Sequence, residues 1–202
     1  MNHWFLADYI ETLFRSYNLH YDNPHNRMKT MFILFRSFFD ICIFKKSPQD
    51  IPASSQLLAL CMFTYIASSI ILTLTFQDVG NAGISGLVDL FLVLVITYIL
   101  LSIKRLPERW LQTSSALLGV GTIFGLLAMP FYLVLSVEGI DGSNNFVLSM
   151  GVFSLIIWNI SVMAHIFRHA LNILYAGGII ISLMYVFIIS SIIVAIAPRE
   201  GL

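Results

Sequence analysis

Charge is scarce in this chain. Asp, Glu, Lys and Arg make up 11% of its 202 residues, and the formal net charge is zero. A soluble domain carries about 25% charged residues, so a soluble globular fold is excluded. With no excess of basic residues, nucleic acid is excluded as a partner as well. Cysteine is almost missing: Cys42 and Cys61 are the only two. That rules out a disulfide framework, and both read as small apolar fillers near the reduced, cytoplasmic side. Catalytic signatures are lacking too. There is no phosphate loop, no CxxC, no HExxH and no apolar run that carries two carboxylates. The connections between apolar runs are too short to host a soluble active site. Neither an enzyme nor a cofactor is expected. Residues 1–27 have no apolar stretch and carry Asp8, Glu11 and Asp22, so they do not read as a signal peptide. Met28 would serve as an alternative start.

What is abundant is apolar sequence: 58% of residues are hydrophobic, and mean hydropathy is +0.86. The clearest run is 84–103, ISGLVDLFLVLVITYILLSI, closed by Lys104 and Arg105. A helix of about 20 such residues crosses the roughly 30 Å hydrocarbon core. Five runs meet that criterion, at 54–76, 84–103, 111–136, 146–167 and 171–197. The expected fold is therefore all-α, a polytopic membrane bundle of five transmembrane helices. Only Arg168, His169 and Ala170 separate the last two runs, and a tight turn is expected there.

Basic residues orient the bundle. Arg15, Arg27, Lys29, Arg36, Lys45 and Lys46 precede the first run, Lys104, Arg105 and Arg109 follow the second, and Arg168 follows the fourth. All of these fall on one side, and Arg199 alone falls on the other. The positive-inside rule puts the basic side in the cytoplasm. The N-terminus is then expected in the cytoplasm and the C-terminus outside; the charge bias points to the cytoplasmic (inner) membrane of a bacterium, and an internal eukaryotic membrane would follow the same rule.

Ahead of the bundle, Leu6, Ile10, Leu13 and Tyr17 recur at helical spacing and suggest a short amphipathic helix over 3–17. Residues 16–27 read as a loop. The next segment, 30–44, is apolar around most of its circumference, with Arg36 and Asp40 four apart on one polar strip and Lys45-Lys46 at its end. It is too short and too charged to span. Two readings fit: an in-plane interfacial helix whose Phe32, Phe35, Phe38, Phe39 and Phe44 dip into the acyl region, or a helix packed on the cytoplasmic ends of the bundle. Pro48 and Pro52 then turn the chain toward the membrane. The organisation is thus a variable extension at 1–29, an amphipathic helix and proline junction at 30–53, the five-helix domain at 54–197 and a tail at 198–202.

The candidate sites are polar residues inside apolar runs. Asp89 stands about five residues, or roughly 8 Å, inside the outer end of its span. Such a residue costs up to about 2.5–3.5 kcal/mol on insertion, and it is either a cation or proton site or one satisfied carboxylate gluing helices together. Thr73, Tyr132, Ser190 and Ser191 stand at matching depth as hydrogen-bond donors. Asn159, beside Trp158, lies near mid-span at the depth of Thr97, and an interhelical hydrogen bond is expected of it. His165 and His169 are spaced as two zinc ligands would be. No third ligand is near, however, and Arg168 between them repels a cation. The HIFRH cluster is expected to snorkel to the headgroups and mark the inner boundary. Gly119, Gly121 and Gly125 form a GxGxxxG run where a neighbouring backbone can approach. Pro130 follows as a kink site.

This layout resembles the Yip-type (Ypt/Rab-interacting-protein-like) family of five-span membrane proteins and its small bacterial relatives. The resemblance covers 30–197. It rests on the SPQDIP junction, on the third run from RLPERW to LLAMPFYLVLS, and on IIWNISVMAHIFRHAL. It implies a non-enzymatic membrane organiser, which in eukaryotes works in vesicle trafficking with small GTPases. The expected function is accordingly a membrane scaffold or interaction protein that uses its amphipathic segment, with lipid and a protein partner or a second copy as its contacts. The alternatives are a small transporter or ion- or proton-conducting subunit that uses Asp89 and, more distantly, an intramembrane metalloenzyme.

Overall fold

The computed structural model describes residues 34–74, 79–138 and 145–196. The helix at 3–17, the loop at 16–27, Phe32, Arg199 and the tail lie outside the described residues. By contact the chain falls into two units, Met1–Arg36 and Ser37–Leu202. Of the first, only the helical Leu34, Phe35 and Arg36 are described. The described residues are helical, with no strand among them: α1 at 34–42, α2 at Ser55–Thr73, α3 at Val79–Ile103, α4 at Trp110–Glu138, α5 at Asn145–Leu171 and α6 at Tyr175–Ile196. Short 3-10 turns occupy Pro48–Asp50 and Pro107–Arg109. Five helices, α2 to α6, are long and apolar enough to cross a membrane.

Two boundaries differ from expectation, each for a physical reason. α3 starts at Val79, ahead of residue 84, because Gly80, Asn81 and Gly83 continue the helix. Glycine costs about 1 kcal/mol in a helix, less than the several kcal/mol of an unpaired peptide group in hydrocarbon. α5 runs to Leu171 through Arg168 and His169, and α6 starts at Tyr175. Cations in a last turn face the negative end of the helix dipole, so these residues extend the helix rather than ending it.

The turn itself falls at Asn172, whose φ is 57°. The Ile173 N–H donates back to the Arg168 carbonyl at 3.1 Å, closing a Schellman motif. α1 and α3 end the same way. Phe44 (φ 61°) lets the Lys45 N–H reach the Asp40 carbonyl at 2.8 Å, and Arg105 (φ 58°) lets the Leu106 N–H reach the Leu101 carbonyl at 2.9 Å. All three stops lie at the basic end of the bundle. At the start of α2, the Ser54 side chain accepts from the Leu57 N–H.

α4 is the central helix, in contact with α2, α3 and α5, and it is buried on all sides from Thr113 to Val120. Its glycines receive side chains rather than a neighbouring backbone. A Cβ on Gly119 would stand 2.5 Å from the Phe38 ring, one on Gly121 2.6 Å from the Tyr65 ring, and one on Gly125 3.6 Å from Ser68 Oγ. The backbone approach occurs instead at Gly178 of α6, where a Cβ would run into the Ala164 carbonyl oxygen of α5. Pro130 is exposed within α4, which continues beyond it to Glu138.

Residues 37–53 are laced onto α4 and α5 in the basic half of the bundle. Trp158 Nε1 donates to the Cys42 carbonyl at 3.0 Å, Gln112 to the Ile51 carbonyl at 2.9 Å, and Gln49 to the His169 carbonyl at 3.0 Å. Burial pushes the Cys42 thiol up to about 12. Asp50 caps the 3-10 turn by accepting the Ser47 N–H at 2.7 Å, and that bond holds its carboxyl below the usual range.

Candidate functional site

The polar residues expected inside the spans divide on one question: which of them face a space. Asp89, Asn159 and Tyr132 line a cavity of about 270 Å³ between α2, α3, α4 and α5, together with Tyr65, Ser68 and Ser69. It occupies the half of the bundle away from the basic end. A smaller cavity of about 70 Å³ adjoins it, sharing Tyr65, Gly121 and Asn159 and reaching Tyr185 of α6. Among the described residues no Lys, Arg or His lines either space.

Among the described residues Asp89 has one direct hydrogen-bond partner. The Tyr65 hydroxyl donates to its Oδ2 at 2.5 Å, at the short end of O–H···O distances. The bare backbone at Gly121 is what leaves the Tyr65 ring its place against α4. Tyr65 does not stand out in the sequence, because depth counted from residue 84 sets Asp89 too close to the outer end. With the helix starting at Val79, Asp89 lies roughly ten residues, about 15 Å, from that end. This deeper level is that of Tyr65 rather than of Thr73, whose hydroxyl bonds the Ser69 carbonyl of its own helix. Ser190 likewise bonds its own helix, at Phe187. Reading the Gly and Asn residues at 80–83 as helical would have put Asp89 and Tyr65 in register.

Thr97 is not part of the site. It is fully buried and its hydroxyl donates to the Val93 carbonyl at 2.7 Å. Asn159 does reach the site, lining both cavities. Its neighbour Trp158 stands behind the wall, packing edge-on against Phe124, which lines the larger cavity, at 5.1 Å between ring centroids. Through the Cys42 carbonyl the same indole holds the end of α1.

The remaining expected residues gather at the basic end. His165 is buried, not snorkelling: Nε2 lies 3.0 Å from the Lys46 carbonyl, and the ring stacks edge-on with Phe44 and, at 4.6 Å, with His169. Arg168 is exposed. Arg109 donates to the His169 and Ala170 carbonyls at 3.3 Å, capping α5. Among the described residues no three His, Cys, Asp or Glu side chains come together. In the Phe-rich segment, Phe38 is 8% exposed against Gly119, so it packs in the protein rather than in the acyl region, while Phe39 and Phe44 are each 44% exposed. Asp40 pairs with Lys46 at 3.7 Å. Phe35 and Arg36 belong to the first unit.

Fold and site together define a class: a five-helix membrane protein with an acidic cavity inside its bundle. No protein-family model matches the chain, nor does any curated protein or solved structure.

Proposed function

We propose that this chain is a small, non-enzymatic carrier or conducting subunit in which Asp89 holds a cation or proton within the membrane. The observation that carries this is the space around the carboxylate. A carboxylate that only glued helices would need the Tyr65 hydroxyl and close packing; here it lines a cavity of about 270 Å³ with no basic residue in its wall. Keeping an acid at this depth costs a few kcal/mol, and a bound cation or proton offsets that cost. A second copy could supply further polar groups. The test is flux in proteoliposomes, read with an internal pH dye under a proton or sodium gradient. Asp89→Asn should slow it about tenfold or more, the scale of a lost charged contact; unchanged flux overturns the proposal.

A second reading, the Yip-like scaffold in a cytoplasmic membrane, is supported by Phe39 and Phe44, exposed beside Lys45 and Lys46. Exposed aromatics next to basic residues suit a lipid surface or a protein partner. Phe39→Asp with Phe44→Asp should abolish co-purification of a partner from native membranes. Undiminished recovery counts against the scaffold.

A further inference from the structure

A second, apolar space adjoins the Asp89 cavity. It measures about 230 Å³ and lies between α4 and α5, lined by Phe131, Leu148, Ser149, Val152, Phe153 and Ile156. Val152 and Ile156 also line the Asp89 cavity, so the two spaces meet across one face of α5. That part of α5 stands open: Phe146 is 74% exposed, Phe153 57% and Ile156 46%.

Resting on the reading of Asp89 as a cation site, we infer that the cation is a lipophilic organic one, a quaternary ammonium or phosphonium, that enters from the bilayer between α4 and α5. The chemistry of the walls selects it. A single carboxylate provides the charge, and Tyr65, Phe124 and Tyr132 provide aromatic surface of the kind that attracts organic cations. A hard inorganic ion takes about six or more oxygen ligands, carboxylates prominent among them; the described wall has one carboxylate, Asp89, and its neutral polar groups (Ser68, Ser69, Asn159 and the two tyrosines) stand among aliphatic and aromatic side chains. The apolar space accepts the body of the ligand while its charged centre reaches the carboxylate, as ligand pockets usually divide their polar and apolar lining.

Binding of tetraphenylphosphonium to the full chain in phosphatidylcholine nanodiscs, followed by equilibrium dialysis, tests this. Saturable binding is expected, weakened about tenfold or more by Asp89→Asn. Val152→Trp, which fills the shared wall, should weaken it to a comparable extent, while Leu87→Trp on the exposed face of α3 leaves it unchanged. If Val152→Trp does not fold, Ile156→Ala should alter binding by widening the same wall, and no change in affinity or on-rate overturns the lateral route. Binding that survives Asp89→Asn overturns the inference. So does the absence of saturable binding by a protein that still shows Asp89-dependent proton or sodium flux, and that result leaves the cation site itself standing. Loss of both overturns both.

Discussion

At the scale of single residues, the site depends on what is missing from Gly121. Any Cβ there meets the Tyr65 ring at 2.6 Å, so the ring must swing and its hydroxyl must leave Asp89 Oδ2. Overpacking of this kind costs about 1–3 kcal/mol, and here the strain falls on the tyrosine that holds the carboxylate. Gly121→Ala is expected to lower flux to the level of Tyr65→Phe with only a modest loss of stability. Gly83→Ala, where nothing lies within 4 Å of the added carbon, should leave flux intact. Equal flux in wild type and Gly121→Ala would show that the phenol is not needed. Asp89 itself was legible in the sequence as a lone acid in an apolar run. Tyr65 was not, because a tyrosine among apolar residues is unremarkable until the neighbouring helix is in register.

At the scale of elements, the helices pack by two different devices. Along α4 the glycines are sockets for side chains, whereas between α5 and α6 Gly178 lets one backbone lie on another. Gly178→Ala should therefore separate α5 from α6 rather than displace a side chain. The expected cost is about 1–3 kcal/mol, seen as a melting temperature several degrees lower in detergent; an unchanged melting curve rejects the close contact. The existence of all five long helices could be read from hydropathy, since the bilayer demands length and apolarity together. Their ends could not. Glycine and charge, which end helices in water, read as loop signals at 80–83 and 168–170, yet the backbone stays helical through both. The actual stop after α5 is Asn172, at a positive φ, and one residue in a left-handed conformation leaves little trace in composition.

At the scale of the whole molecule, the two ends of the bundle are built differently. The basic end is closed: residues 37–53 are tied to α4 and α5 by the Gln49, Gln112 and Trp158 side chains, and Arg109 caps α5. The other half holds the cavities and the exposed part of α5. Which compartment the cavity half lies nearer therefore decides from which side a ligand of Asp89 is drawn, and the expectation from the positive-inside rule is the outside. Cysteine labelling with a membrane-impermeant maleimide on intact cells tests it. The native thiols of Cys42 and Cys61 are buried and should contribute little background. Asn145→Cys, at the first residue of α5, should label from outside. Glu108→Cys, in the turn between Lys104 and Arg109, should label only after permeabilisation. The reverse pattern would turn the bundle over and make the cavity a site loaded from the cytoplasm, with α1 and its lysines facing outward, where neither an anionic inner leaflet nor a cytoplasmic partner could meet them. One labelling experiment thus bears on the carrier and the scaffold at once, because the same charge asymmetry orients both.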